Sequence, residues 1–250
     1  MAFQQLIAFA QQNKIDCFIF LARLYTMVSC VLFVVPFYGI DSQPVFYQRA
    51  LLSNALSCAL RLHQRMPVVA LNLEFLSRVL LEDSAHYIIY SLIFIASSSP
   101  VTLVVIPLFL LALFNISFFI QRNIGNAIGV ALLNSLVSKV TSNSQSILRF
   151  IALNEVLLFP ALIMMIFSGK GSMITPFIYY RFLTFRYCSQ RNPYSRIVFQ
   201  QLRIGAEQMI ANPICPAFVR TIVQKAILTI CRWAPPQVPT QPSSQAGAAR

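Results

Sequence analysis

The feature that most constrains this chain is a run of twenty residues, 101–120, that contains no charged side chain. An α-helix rises about 1.5 Å per residue, so this run can cross a hydrocarbon core of about 30 Å. Two further long apolar runs, 16–37 and 148–167, contain only a few charges each. We therefore predict transmembrane helices at about 16–37, 101–120 and 148–167.

The composition agrees with a membrane protein. Only 10% of the residues are charged and 57% are hydrophobic, whereas a soluble domain has about 25% charged and about 45–50% apolar residues. A fourth span at about 80–98 is possible, as one arm of a hairpin with 101–120. The sequence thus predicts an all-α integral membrane protein with three or four transmembrane helices plus C-terminal interfacial amphipathic helices.

The positive charge is concentrated near the C-terminus. The net charge is +12, and the residues after Ile178 include nine Lys or Arg but only one acid, Glu207. Basic segments stay on the cytosolic side of a membrane, so we expect a cytosolic C-terminus, with 122–146 in the lumen. In the version with three spans, 39–79 is cytosolic and 71–98 is re-entrant or interfacial.

These patterns divide the chain into four parts. An N-terminal segment, 1–14, precedes a helical membrane domain at 15–170, and basic amphipathic helices at the membrane interface follow at 171–233. The tail, 234–250, is rich in Pro, Gln, Ser and Ala. It lacks the apolar residues needed to form a core, so we expect it to be disordered.

The stretch 177–196, FIYYRFLTFRYCSQRNPYSR, combines seven aromatic residues with four arginines. Tyrosine rings favour the depth of lipid headgroups, and arginine pairs with phosphates. Since the stretch begins soon after a predicted span, anionic lipid headgroups fit it better than nucleic acid does. The predicted interface arginines are Arg181, Arg186, Arg191 and Arg196.

The last predicted helix, 217–233, is amphipathic. Phe218, Ile222, Ile227 and Trp233 fall on one half of the helix, and Arg220, Lys225 and Arg232 fall on the other. A basic face opposite bulky apolar residues is typical of a helix that lies in the membrane interface. Packing against the protein itself, or against a partner helix, remains an alternative. Residues 193–211 show a weaker version of the same pattern.

Four ionisable residues lie in or beside predicted spans: Glu82, Asp83, His86 and Glu155. Ionisable groups inside a bilayer suggest function, so an ion or proton path and acid–base catalysis are alternatives. We favour an interfacial position, or pairing with arginines such as Arg78 and, for Glu155, pairing within the helix bundle.

Nothing in the sequence predicts an enzyme. The chain has six Cys without a C-x-x-C pair and only two His, which argues against a zinc site. It also lacks the glycine-rich nucleotide motifs and the G-x-S-x-G motif of hydrolases. We predict no catalytic residues, no metal and no cofactor.

Three unusual stretches carry a family resemblance: LLEDSAHYIIYSLIF at 80–94, FYQRALLSNALSCALRLHQRMP at 46–67, and 177–196. The chain resembles the transmembrane protein 33 family, called Krüppel homolog two in insects and related to the yeast pore membrane proteins. The resemblance covers about Lys14 to Pro235. It supplies no catalytic residues.

The resemblance implies a multi-pass protein of the endoplasmic reticulum membrane and nuclear envelope. It implies reticulon-type partners, an association with nucleoporins through nuclear pore distribution, and a link to the unfolded protein response. Together with the basic C-terminal helices, it leads to the hypothesis of a protein that organises or senses membrane shape. An adaptor or scaffold in stress signalling is the first alternative, and an ion channel or transporter is the second.

Overall fold

The computed structural model describes residues 13–35, 37, 39–66, 72–97, 99–123, 131–169, 171–189, 192–211 and 215–233. These residues form ten α-helices and one short 3₁₀ turn, with no strand among them. The helices are α1 (Lys14–Val34), α2 (Gln43–Arg65), α3 (Leu73–Leu80), α4 (Asp83–Ile95), α5 (Thr102–Asn123), α6 (Ala131–Ser142), α7 (Ser144–Phe167), α8 (Ile174–Cys188), α9 (Tyr194–Ala211) and α10 (Ala217–Trp233).

Three of the described helices are long and apolar enough to cross a membrane. They are α1, α5 and α7, with 21, 22 and 24 residues. Each matches one of the three predicted spans, with ends that differ by a few residues. The predicted fold class, an all-α membrane protein with several spans, is confirmed.

The possible fourth span, 80–98, is broken in the structure. The continuous helix within this range is α4, and its 13 residues extend about 20 Å. This is shorter than a hydrocarbon core of about 30 Å. Most of α4 is buried, and Tyr90 and Phe94 have no exposed surface. The segment is therefore a short core helix packed between α2 and α8.

Helix α2 runs antiparallel to α1 over its full length. Three contacts mark successive levels: Gln64 Nε2 donates to Asp16 Oδ1 at 2.8 Å, the hydroxyls of Thr26 and Ser53 are 2.8 Å apart, and the rings of Phe33 and Tyr47 are 5.3 Å apart. Helix α2 contains more polar residues than α1 does. Its polar side chains Ser53, Asn54 and Ser57 face inward and form hydrogen bonds.

The alternation continues along the chain. Helix α4 is antiparallel to α2, since Asn54 bonds to Ser91 and Arg65 pairs with Glu82. Near the N-terminal end of α5, the hydroxyl of Tyr90 in α4 donates to Val104 O. Near the C-terminal end of α5, Phe119 stacks on Phe20 of α1. Helices α7 and α8 are also antiparallel, since Phe159 lies beside Tyr180 and Glu155 pairs with Arg186.

We call one end of this bundle the polar end, defined by Asp16, Arg65, Glu82, Asp83 and Arg186. Helices α1, α4 and α7 begin near it, and α2, α5 and α8 finish near it. The connections from α2 to α4 and from α5 to α7 therefore leave from the polar end, and so does the chain that enters α9. This differs from the sequence expectation, which placed 122–146 and the C-terminus on opposite sides.

Candidate functional site

The stretch 177–196 does not present all of its arginines to the surface. It forms most of α8, whose buried positions include Tyr179, Phe182, Leu183 and Arg186. Their spacing of three and four residues marks one face of a helix. Arg186 lies on that face, and its side chain is 1% exposed.

Arg186 is the centre of a set of buried polar groups that we call the ion network: Asp83, Tyr87, Glu155 and Arg186. Its Nε donates to Glu155 Oε2 at 3.0 Å, and its Nη1 donates to Asp83 Oδ1 at 3.2 Å. Its Nη2 donates to the Tyr87 hydroxyl at 3.1 Å, and that hydroxyl donates to Glu155 Oε1 at 2.5 Å. The network thus connects α4, α7 and α8.

The electrostatics of the network hold Arg186 in its charged form. Burial disfavours an isolated guanidinium charge, but the carboxylates of Glu155 and Asp83 lie 3.0 Å and 3.2 Å from its nitrogens and compensate that charge. A buried charge is tolerated when it is paired and hydrogen-bonded. The network therefore acts as a polar connection among three helices in an otherwise apolar interior.

The two remaining ionisable residues of this region also have partners. Glu82 Oε2 accepts a hydrogen bond from Arg65 Nη1 at 2.7 Å, so its partner is Arg65 rather than Arg78. His86 has no exposed surface, and its Nε2 lies 2.7 Å from the carbonyl oxygen of Leu80.

The Nδ1 atom of His86 is 3.9 Å from Asp83 Oδ1. This arrangement assigns the imidazole proton to Nε2, where it is donated to Leu80.

The burial of the ion network favours a structural role for it. Glu155 and Arg186 are each 1% exposed, so a soluble substrate does not reach the pair. In the part of the chain that the structure describes, no group of three His, Cys, Asp or Glu side chains could hold a metal ion.

The predicted interface arginines thus fall into different places. Arg181 is exposed, and Arg196 is half-buried with its Nη2 donating to the carbonyl of Ser189 at 3.2 Å. Arg191 lies outside the described residues. Arg186 does not fit the predicted headgroup contact, because its charge is used inside the protein. Two signals could have shown this: its place on the buried face of α8, and a carboxylate, Glu155, within a predicted span.

The C-terminal helices also expose large apolar side chains. On α10, Phe218 is 67% exposed and Ile222 is 60% exposed. The basic residues Arg220, Lys225 and Arg232 are exposed, Ile227 is half-buried, and the side chain of Trp233 lies outside the described part. Helix α10 packs on α9, which leaves most of its apolar face uncovered.

Helix α9 connects α10 to the bundle. It packs mainly on α7, with Ser195, Val198 and Ile210 buried. It also carries an exposed ion pair, in which Arg203 Nε donates to Glu207 Oε1 at 2.8 Å. The basic, apolar surface of α10 is therefore attached to the part of the chain that leaves the polar end.

Ten described helices, three of them able to span a bilayer, define a multi-pass helical membrane protein. A family model described as Transmembrane protein 33/Nucleoporin POM33 matches residues 1–236. The chain belongs to this family.

Curated relatives give the same result. The chain is 47% identical to Transmembrane protein 33 of Homo sapiens over 231 residues, covering 92% of this chain and 93% of the relative. It is 34% identical to Transmembrane protein 33 homolog of Caenorhabditis elegans, covering 94% and 87% of the two chains. It is 36% identical to Krueppel homolog 2 of Drosophila melanogaster, covering 92% and 83%. No solved structure matches the chain.

Proposed function

We propose that this chain is a non-enzymatic, multi-pass protein of the endoplasmic reticulum membrane and nuclear envelope that helps to organise or sense membrane shape. The observation that carries the proposal is the exposed apolar face of α10, bordered by Arg220, Lys225 and Arg232. A helix of this kind lies in the headgroup region with its apolar face about 5–10 Å deep. Its volume adds area to one leaflet only.

The distribution of charge supports a cytosolic position for α10. Connections and helix ends at the polar end carry Arg61, Arg65, Arg78, Arg122 and Lys139. At the opposite end, the connection from α1 to α2 contains no Lys or Arg, and the one from α7 to α8 contains only Lys170. Short basic connections stay in the cytosol, which favours a cytosolic polar end and a cytosolic C-terminus.

The family description supports the nuclear envelope, since it includes the word nucleoporin. The names of the relatives from Homo sapiens and Caenorhabditis elegans mention a membrane and no reaction, which agrees with a non-enzymatic role. Reticulon-type proteins and nucleoporins are the partners we propose, and a role in the unfolded protein response follows from the same family resemblance.

The proposal is tested with the full chain, fluorescently labelled and reconstituted into vesicles of mixed diameter that contain anionic lipid. We expect a higher protein density on small vesicles. Ile222→Glu places a charge on the apolar face and is expected to abolish this preference. Gln224→Glu, which introduces the same charged side chain on the polar face two residues away, is expected to retain most of it.

An equal density of the unmodified chain on small and large vesicles would contradict the role in membrane shape. Recruitment of reticulon-type proteins by Ile222→Glu at the level of the unmodified chain would favour the adaptor or scaffold role instead. The channel alternative has no supporting observation here, because Glu82, Asp83 and Glu155 are each engaged by an arginine.

A further inference from the structure

A cavity of about 530 Å³ opens between α1, α2 and α5 near the polar end. Its size lies within the range of about 300–1,000 Å³ that is typical of small-molecule sites. Its lining includes Asp16, Phe20, Arg23, Arg61, Phe119 and Arg122. The lining therefore combines positive charge with aromatic rings.

The charges of the cavity are not balanced. Arg23, Arg61 and Arg122 line it together with a single carboxylate, that of Asp16. That carboxylate already accepts a hydrogen bond from Gln64. Arg61 donates to Asn115 Oδ1 at 2.9 Å, which is a neutral partner. The formal charge of the lining is thus +2.

Arg23 is the strongest indication that the cavity binds an anion. It is only 8% exposed and lies about two helical turns further along α1 than Asp16. Among the described residues, no side chain or carbonyl accepts a hydrogen bond from it, and no carboxylate forms an ion pair with it. A buried charge without a partner is costly. Residues 1–13 contain no Asp or Glu, so the N-terminal segment contributes no carboxylate side chain.

The aromatic rings of the lining indicate which kind of group would lie beside a bound anion. Phe20 and Phe119 stack with their centroids 4.8 Å apart, and Phe118 is 50% exposed on the outer side of α5. Guanidinium groups bind phosphate oxygens through paired hydrogen bonds. A ligand with a phosphate at one end and apolar chains at the other satisfies both parts of the lining.

We propose that this cavity binds the phosphate group of an anionic phospholipid, with Arg23, Arg61 and Arg122 as its cationic contacts. The site goes beyond the proposed function, since it lies on α1, α2 and α5 and involves neither α9 nor α10. It would allow a single lipid molecule to occupy the bundle at headgroup depth.

The test uses the full chain, purified in a neutral detergent, with binding measured by native mass spectrometry and thermal unfolding. The probe is dioctanoyl phosphatidic acid; inorganic phosphate and dioctanoyl phosphatidylcholine are the comparisons. We expect saturable binding of phosphatidic acid that exceeds both comparisons by at least about tenfold in affinity, as expected for charge-assisted contacts with a buried site.

The variants separate this site from general surface charge. Arg23→Gln and Arg122→Gln are each expected to weaken phosphatidic acid binding by about tenfold or more. Arg122 is exposed, so its variant remains informative if Arg23→Gln does not fold. The matched control is Arg149→Gln, which removes an exposed charge near the start of α7, outside the cavity.

Equal weakening by Arg149→Gln and Arg122→Gln would overturn the proposal, because it would show adsorption to surface charge. Equal affinity for inorganic phosphate and phosphatidic acid would overturn the assignment to a lipid. Neither result depends on the behaviour of α10, so this site and the role in membrane shape fail or succeed separately.

Discussion

At the scale of single residues, two of the Glu–Arg pairs that the structure describes differ mainly in burial. Glu155 and Arg186 are each 1% exposed, whereas Arg203 and Glu207 are 57% and 47% exposed. Removing one member of a buried pair leaves the other charge without compensation. An exposed pair on one helix face contributes little, because water screens it.

We therefore expect Glu155→Ala to lower the free energy of unfolding by about 3 kcal/mol. Asp83 still contacts Arg186 and limits the loss. Glu207→Ala, the matched control, is expected to leave it almost unchanged, because water screens the exposed pair. Denaturant unfolding of both variants in detergent measures the difference. Similar losses in the two variants would show that the ion network does not stabilise the bundle.

Arg186 also shows why the site could be predicted only in part. The sequence indicated that Glu155, inside an apolar helix, needs a partner within the bundle. It could not indicate which arginine pairs with Glu155, because Arg186 lies 31 residues away in the chain. The second carboxylate, that of Asp83, lies 103 residues from Arg186. Periodicity within α8 places Arg186 on the buried face, but only the packing of α4, α7 and α8 brings the three charges together.

At the scale of helices, length and hydropathy sufficed to predict α1, α5 and α7 as spans, whereas α2 is not among the described helices that are apolar enough to cross a membrane on those criteria. The sequence of α2 contains Arg49, Arg61 and Arg65, which argued against a span. The structure pairs its inner polar side chains with α1 and α4 and leaves Leu52 and Leu56 exposed on the outside. A window average of hydropathy mixes these two faces and hides the apolar one.

This arrangement predicts that the middle of α2 faces lipid. In a cysteine-free background, Leu56→Cys is expected to resist a membrane-impermeant maleimide from both sides of the membrane. His63→Cys is exposed on the same face two turns nearer the polar end, and it is expected to react. If both positions react at comparable rates in intact membranes, α2 lies in water and the sequence-based view of it was right.

At the scale of the whole molecule, the antiparallel order of α1, α2, α4, α5, α7 and α8 has a consequence for both chain ends. Six alternating segments return the chain to the end of the bundle from which it started, although only α1, α5 and α7 among the described helices are long and apolar enough to cross a membrane by themselves. Three crossings alone would leave the chain ends on opposite sides. The short α4 and α8 reach the polar end through Asp83 and Arg186. The connection from α7 to α8 lies at the other end.

Glycosylation tags distinguish these arrangements, because acceptor sites are modified only in the lumen. A tag of fixed length would be placed before residue 1, after residue 250, or in the connection from α7 to α8 after Gly169. With a cytosolic polar end, we expect modification only after Gly169, since both chain ends and the basic connections then face the cytosol. Modification of the tag before residue 1 without modification after residue 250 would indicate an odd number of crossings. In that case α2, α4 and α8 could not all be arranged as the structure has them.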